Sequence, residues 1–169
     1  ETHGDNHYWK VWHGGRDYTA YLQKRARFIS EFGFQSFPTM DTVLAFAEPE
    51  DLSMDAEVIA AHQKCRNGND RLKEAVDLFF PQPDSFERAM LFTQMIHGEA
   101  MKTGIEHWRR LKWHTSGALV WQHNDCWPAV SWAMVDYELR PKPVYYHVRR
   151  AWTPVLITAH VGDVEVAVW

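Results

Sequence analysis

Apolar positions along this chain fall into two kinds of run. Ala26–Ser30 and Ala118–Gln122 are short and nearly unbroken, the pattern of strands buried on both faces. Phe86, Met90, Gln94, His97, Met101, Ile105 and Trp108 instead recur at steps of three and four, which predicts a long helix to about Leu111. Asp84-Ser85-Phe86-Glu87 has the form of a capping box at its start, and Thr115-Ser116-Gly117 separates it from the second strand. Its Met-rich stripe is most simply a face packed on a sheet.

The remaining pattern is shorter. Asp5–Trp12 reads as a strand end or a strand followed by a loop, broken by Gly14-Gly15, with Arg16–Gln23 a helical or irregular link. After Pro38, Asp41 and Thr42 can cap a short helix through Phe46, and Pro49-Glu50-Asp51 is a turn. Helical spacing runs over Asp55–Lys64, is interrupted at Asn67-Gly68-Asn69-Asp70, and resumes over Arg71–Phe80 until Pro81 and Pro83. Trp132–Asp136 and Val144–Arg150 read as helical or mixed, linked by Arg140-Pro141-Lys142-Pro143. Beyond Pro154, Val155–Ile157 and Val164–Val168 around Gly162-Asp163 predict a hairpin, so a boundary is expected near residue 153. Short strand, long helical excursion and short strand again are the logic of an α/β fold with a parallel sheet.

Composition narrows the chemistry. The 169 residues are enough for one domain with a core, and a formal net charge of −4 gives no electrostatic case for nucleic acid or an anionic membrane. No apolar run approaches the ~18 residues of a membrane span. The start, Glu-Thr-His-Gly-Asp, is neither an initiator methionine nor a signal peptide, so the chain reads as cut from something larger, with any targeting segment outside it. Cys65 and Cys126 are far apart and form no zinc or disulfide pattern; His3, His7 and His13 are the densest histidine group and a weak metal candidate, so no metal and no cofactor is expected. Nine Trp, nine Phe and six Tyr stand out, several of them where strands should end. Trp and Tyr pair a flat apolar face with a polar handle, which is what sugars need, although core packing also explains most aromatics.

One acid follows directly. Glu31 closes the strand in Arg27-Phe28-Ile29-Ser30-Glu31-Phe32-Gly33-Phe34-Gln35-Ser36. The carboxyl end of a parallel strand is where barrel enzymes mount catalytic side chains. An acid that merely caps the loop satisfies the same segment equally well.

RFISEFGFQSFP, GALVWQHNDCWPAVSWAMVDY and HYWKVWHGG, in the order HYWKVWHGG first, together resemble the β-mannosidases of glycoside hydrolase family 2, from about Gly4 to near Leu156. The resemblance implies a (β/α)8 TIM barrel, of which residues 1–153 would be the C-terminal third with strands six to eight. Residues 154–169 would then begin a β-sandwich domain. It implies a retaining glycosidase acting on a β-mannoside or manno-oligosaccharide, with Glu31 as nucleophile and Tyr8 holding it by a hydrogen bond. Trp121 would line the subsite of the scissile sugar. Asn124, Asp125 and Trp127 would contact substrate or shape the mouth, with Trp9 and Gln35 as weaker candidates. The family's acid/base lies in an Asn-Glu motif on strand four, and no such motif occurs here. Glu48, Glu50, Glu57, Glu74, Glu87, Glu99, Glu106 and Glu138 fall on expected helices or turns, and Glu165 in the hairpin. The missing N-terminal part of the barrel is therefore an expected partner. Alternatives that remain open are β-galactosidase or β-glucuronidase specificity, and an inactive structural or sugar-binding fragment.

Overall fold

The computed structural model describes residues 4–158 and 167–168. Its centre is a parallel sheet in the order β1 (Asn6–His7), β2 (Ile29–Phe32), β3 (Ala118–Val120). The observed class is mixed α/β. Between β1 and β2 lie α1 (Lys10–His13) and a 3-10 helix, Tyr18–Gln23. Between β2 and β3 run α2 (Met40–Val43), a 3-10 turn at Pro49–Asp51, α3 (Glu57–Ala61), α4 (Gly68–Phe79) and α5 (Phe86–Arg110). After β3 comes α6 (Pro143–Ala151), then β4 (Ile157–Thr158) paired antiparallel with β5 (Ala167–Val168).

α5 forms for the reasons its sequence predicts. The Ser85 side chain accepts from Arg88 N at 3.2 Å, Glu87 lies in the first turn, and His107, Arg109 and Arg110 lie in the last, complementing the helix dipole. Gln94, His97, Met101, Ile105 and Trp108 of the stripe are buried. Trp108 meets Phe32 of β2 edge to face, centroids 4.6 Å apart, and Tyr21 joins both at 5.6 and 5.8 Å. The Trp108 indole N–H donates to Lys24 O, so the ring is fixed at both ends.

Several local expectations shift. Lys10–His13 is a helical turn, because His13 N bonds back to Trp9 O at once after the strand. β2 begins at Ile29 rather than Ala26, which places Glu31 inside the strand. Thr39, not Asp41 or Thr42, stands at the N-cap of α2, without a side-chain cap. α4 starts at Gly68, inside the expected interruption, because Asn67 takes the left-handed conformation (φ 57°) immediately before it. Trp132–Asp136 forms no helix: Met134 N, Val135 N and Asp136 N donate sideways to Gln122 O, His123 O and Arg140 O. The hairpin pairs Ile157 with Val168, while its expected turn at Gly162-Asp163 lies outside the described residues.

The pairing of β2 is irregular in a way that matters. Ile29 pairs with Ala118 and Phe32 with Val120, so three steps along β2 match two along β3. Such a bulge places two consecutive residues on one face. Ile29 and Phe32 are both fully buried, whereas Ser30 and Glu31 between them are only partly so. The other face of the sheet is uncovered among the described residues, with Leu119 56% and Trp121 41% exposed.

Candidate active site

The bulge turns Ser30 and Glu31 together toward the open face, where both meet His7 of the neighbouring strand. His7 Nε2 lies 3.1 Å from Glu31 Oε1, and Trp9 Nε1 donates to Glu31 Oε2 at 3.0 Å. Each carboxylate oxygen therefore has its own ring N–H or imidazole partner. The Glu31 side chain keeps 27% of its surface accessible, so the partners orient it without sealing it off. On the far side of His7, Nδ1 lies 2.9 Å from Ser30 Oγ, which donates to Asp5 Oδ2 at 2.6 Å. That Ser30 bond holds the Asp5 carboxyl below its ordinary value. Asp5, Ser30, His7, Glu31 and Trp9 thus form one polar chain along the strand ends.

Tyr8 does not join it. Side chains alternate along a strand, so His7 and Trp9 share one face and Tyr8 takes the other. Its ring lies 5.9 Å from Tyr21 with the Lys24 ammonium 5.2 Å over it, and burial pushes its phenol up. The expected Tyr8 bond to Glu31 is replaced by those of His7 and Trp9, and the two-residue period of HYW was the clue to that exchange. Of the three histidines grouped in the sequence, His7 is engaged with Asp5, Ser30 and Glu31, His13 packs on the Trp9 ring at 5.7 Å, and His3 lies outside the described residues; among the described residues no three His, Cys, Asp or Glu side chains are grouped as metal ligands.

Behind Glu31 the chain is tightly drawn. A Cβ on Gly33 would fall 2.3 Å from Trp121 O and 3.2 Å from both Trp132 Cδ1 and Trp9 Cη2. Only glycine lets β2 pass this close to the end of β3. Trp121 N donates to Phe32 O at 2.8 Å, and the peptide from Trp121 to Gln122 is cis. Trp121, exposed on the open side, and Glu31 are thereby carried on adjacent strand ends.

The other candidates divide by exposure. Trp127 stacks on His62 (4.8 Å, 26°), which stacks on Phe46 (4.0 Å, 7°), while His62 Nδ1 lies 2.7 Å from Pro128 O. Trp127 is still 37% exposed, a plate backed by two further rings. Asn124 is exposed and bonds only within its own loop, Nδ2 to Asp125 O. Asp125 is buried and consumed by structure: Oδ1 pairs with Lys64 Nζ at 3.2 Å and Oδ2 accepts from Ser131 Oγ at 2.6 Å. It shapes the loop rather than facing a ligand. Gln35 is completely buried, with no hydrogen-bond partner for its amide among the described residues, so it too stands behind the open face. Lys142, expected only as part of a link, is fully buried and donates to the carbonyls of Ser36 and Ser131 at 3.0 and 3.1 Å. Flanking prolines hid it, since nothing in their pattern tells which way the side chain between them points.

Among the described residues no helix is long and apolar enough to cross a membrane. No protein-family model matches the chain. β-Mannosidase B of Aspergillus niger is 40% identical over 162 residues, covering 92% of this chain and 19% of that protein, and β-mannosidase B of Aspergillus terreus matches to the same extent. Among solved structures, the β-D-mannosidase from Dictyoglomus thermophilum superposes with a TM-score of 0.90 at 41% identity, over 93% of this chain and 20% of that one. The exo-β-D-glucosaminidase CsxA shares the fold at 19% identity, with a TM-score of 0.76 over 89% of this chain and 20% of its own. The chain spans about one fifth of the length of the curated relatives it matches. Over nine-tenths of its residues the chain is similar, in sequence and in fold, to one part of these β-mannosidases.

Proposed function

We propose that this chain carries the nucleophile half of a retaining β-mannosidase of glycoside hydrolase family 2, which removes terminal non-reducing β-D-mannosyl residues from manno-oligosaccharides. In this reading β1, β2 and β3 are strands six to eight of a (β/α)8 barrel, residues 1–153 are its C-terminal third, and residues 154–169 open a β-sandwich domain. The observation that carries it is Glu31, turned by a strand bulge onto an open face with a ring nitrogen beside each of its oxygens. Contacts of this kind hold the carboxylate toward the open side, where a nucleophile must stand to attack.

The chemistry is then specific. Glu31 attacks the anomeric carbon as the glycosidic C–O bond breaks, and the leaving oxygen takes a proton from a second carboxyl group ~5–5.5 Å away. That group, now a base, deprotonates a water that attacks the same carbon and frees Glu31 and mannose. No Asn-Glu pair occurs in this sequence, so the second carboxyl belongs to a strand of the barrel outside this chain. Trp121 offers its exposed face to the sugar in the scissile subsite. Trp127 and Asn124 line the mouth. The relatives' names favour mannosides over the galactosides or glucuronides of sister enzymes.

The experiment is mechanism-based labelling of the protein that carries this chain with a 2-deoxy-2-fluoro-mannosyl fluoride, followed by peptide mapping. The label is expected on Glu31 and absent from Glu31→Gln. Labelling of any other carboxylate removes Glu31 from this role. The 169 residues alone are expected to give no hydrolysis of an aryl β-mannoside, and turnover by them would overturn the assignment of the second carboxyl.

A further inference from the structure

Lys142 is the one lysine among the described residues with no exposed surface, and it does not touch the open face. It sits at the N-cap of α6, where the backbone is extended (φ −72°, ψ 160°) and leaves the side chain free to run inward. Its ammonium reaches two carbonyls that belong to no named strand. Ser36 O belongs to the segment five residues beyond Glu31, and Ser131 O to the segment ten residues beyond Trp121. The same two residues bond to each other directly, Ser36 N to Ser131 O at 3.1 Å and Ser131 N to Ser36 O at 3.4 Å.

The junction extends further. Ser131 Oγ donates to buried Asp125, which pairs with Lys64 from the segment after α3. Ser36 Oγ lies 2.9 Å from Nδ1 of His97 on α5. Four parts of the chain therefore converge on one ammonium and one carboxylate, and residues 32–38 are buried without interruption as they pass it. Burial lowers Lys142 to about 8, with Asp125 and Asp136 acting against that fall. Its positive charge in turn helps to hold His97 well below the ordinary imidazole value.

Burying an ammonium is costly, and an apolar side chain of similar length would pack in the same space. Methionine there would leave each carbonyl with only the backbone N–H of the bridge, without its second donor. What the lysine adds is a fixed spacing between two segments that have no ladder beyond their single bridge. We infer that the Lys142–Asp125 junction is a clamp that sets the position of the Glu31 strand end relative to Trp121, making Lys142 a positioning residue for the proposed glycosidase. The inference rests on that reading for its catalytic consequence and on geometry alone for its mechanical one.

The test uses the protein that carries this chain, with Lys142→Met compared to the parent at a temperature where both are folded by circular dichroism. A displacement of about 1 Å at a reacting centre can cost on the order of 10²-fold in rate. The clamp predicts kcat for an aryl β-mannoside lowered at least tenfold, with KM changed less than threefold. A folded Lys142→Met protein with kcat within twofold of the parent overturns it. Ser131→Ala, which keeps both carbonyls and removes the Oγ bonds to Asp125 and from Ala133 N, decides the matter should Lys142→Met not fold: a drop in kcat in the same direction supports the clamp, and unchanged kcat overturns it. Hydrogen exchange assumes nothing about substrate, so the clamp and the mannosidase reading can fail separately. In Lys142→Met or Ser131→Ala, peptides covering 33–38 and 128–134 should exchange faster together, and unchanged exchange in both refutes the mechanical claim.

Discussion

Replacing Gly33 with alanine adds one methyl group where three tryptophans converge. The new carbon would stand 2.3 Å from Trp121 O, about 1 Å inside normal contact, and 3.2 Å from the rings of Trp9 and Trp132. A flexible side-chain tip could yield to it. A backbone carbonyl whose own N–H is tied to Phe32 O cannot move without moving β3. Overpacking of this kind costs ~1–3 kcal/mol, and the lower entropy of an unfolded chain with alanine in place of glycine returns ~0.4–1 kcal/mol. A net loss of about 1–2 kcal/mol is expected, read as a lower urea midpoint with an unchanged slope. The rate should suffer more than the stability. Trp121 and Trp9 are the groups displaced, and a shift near 1 Å at the site corresponds to about 10²-fold in kcat/KM for an aryl β-mannoside. A Gly33→Ala protein with stability and kcat/KM both at parental values would refute the argument that this glycine holds Glu31 and Trp121 at their spacing.

Exchange of Tyr8 for phenylalanine should change kcat less than twofold, because its ring packs with Tyr21 and Lys24 and its side chain makes no bond to Glu31, whereas His7→Ala and Trp9→Phe, which strip ring-nitrogen partners from Glu31, should each lower it at least tenfold; steady-state kinetics separates the two sets. Stability should fall as pH drops below about 6.5, the ordinary imidazole value, because fully buried His97 stays neutral in the fold while the unfolded chain takes up the proton. His97→Gln should flatten that limb of a plot of urea midpoint against pH. At the alkaline end the sign is the same for a different reason: Lys142 titrates near 8 in the fold and near 10.5 unfolded, so the chain should gain up to about 3 kcal/mol between those values, a gain absent from Lys142→Met. Ser85→Ala removes the side-chain cap of α5 and should cost about 1 kcal/mol by urea unfolding.

What the sequence discloses here follows the range of the forces involved. The course of α5 is legible because Ser85, Glu87 and the buried stripe act within a few residues of one another. β2 and β3 are legible as apolar runs, and Glu31 and Trp121 as their polar and aromatic ends. Strand phase is less so. The HYW segment offers three side chains to two faces, and which set meets Glu31 depends on a register fixed by β2, not by the segment itself. The bulge leaves no local trace, since Ser30 and Glu31 are ordinary strand residues whose placement is decided by Ala118 and Val120 far along the chain. Asp125 and Gln35 looked available because polar residues near strand ends usually are. Asp125 is taken up by Lys64 and Ser131, 61 and 6 residues away, and Gln35 lies in a stretch, 32–38, that is buried throughout. Lys142 was hidden for the same reason, its partners lying 106 and 11 residues away.

The bulge in β2 also has a consequence for how this protein can change. In a regular strand, neighbouring residues face opposite ways, so removing or adding one residue reverses the address of everything beyond it. Here an extra residue already stands at Ser30–Glu31, and deleting either would restore even pairing with β3. Restored pairing would leave a single residue between Ile29 and Phe32 to face the open side. Removing Ser30 would keep Glu31 there but take away the hydroxyl that bridges His7 and Asp5, leaving only their direct 3.5 Å contact; removing Glu31 would leave a serine in its place. A substitution at Ser30 can change what stands beside Glu31, but the length of this strand is locked by a parity that only the pair together satisfies.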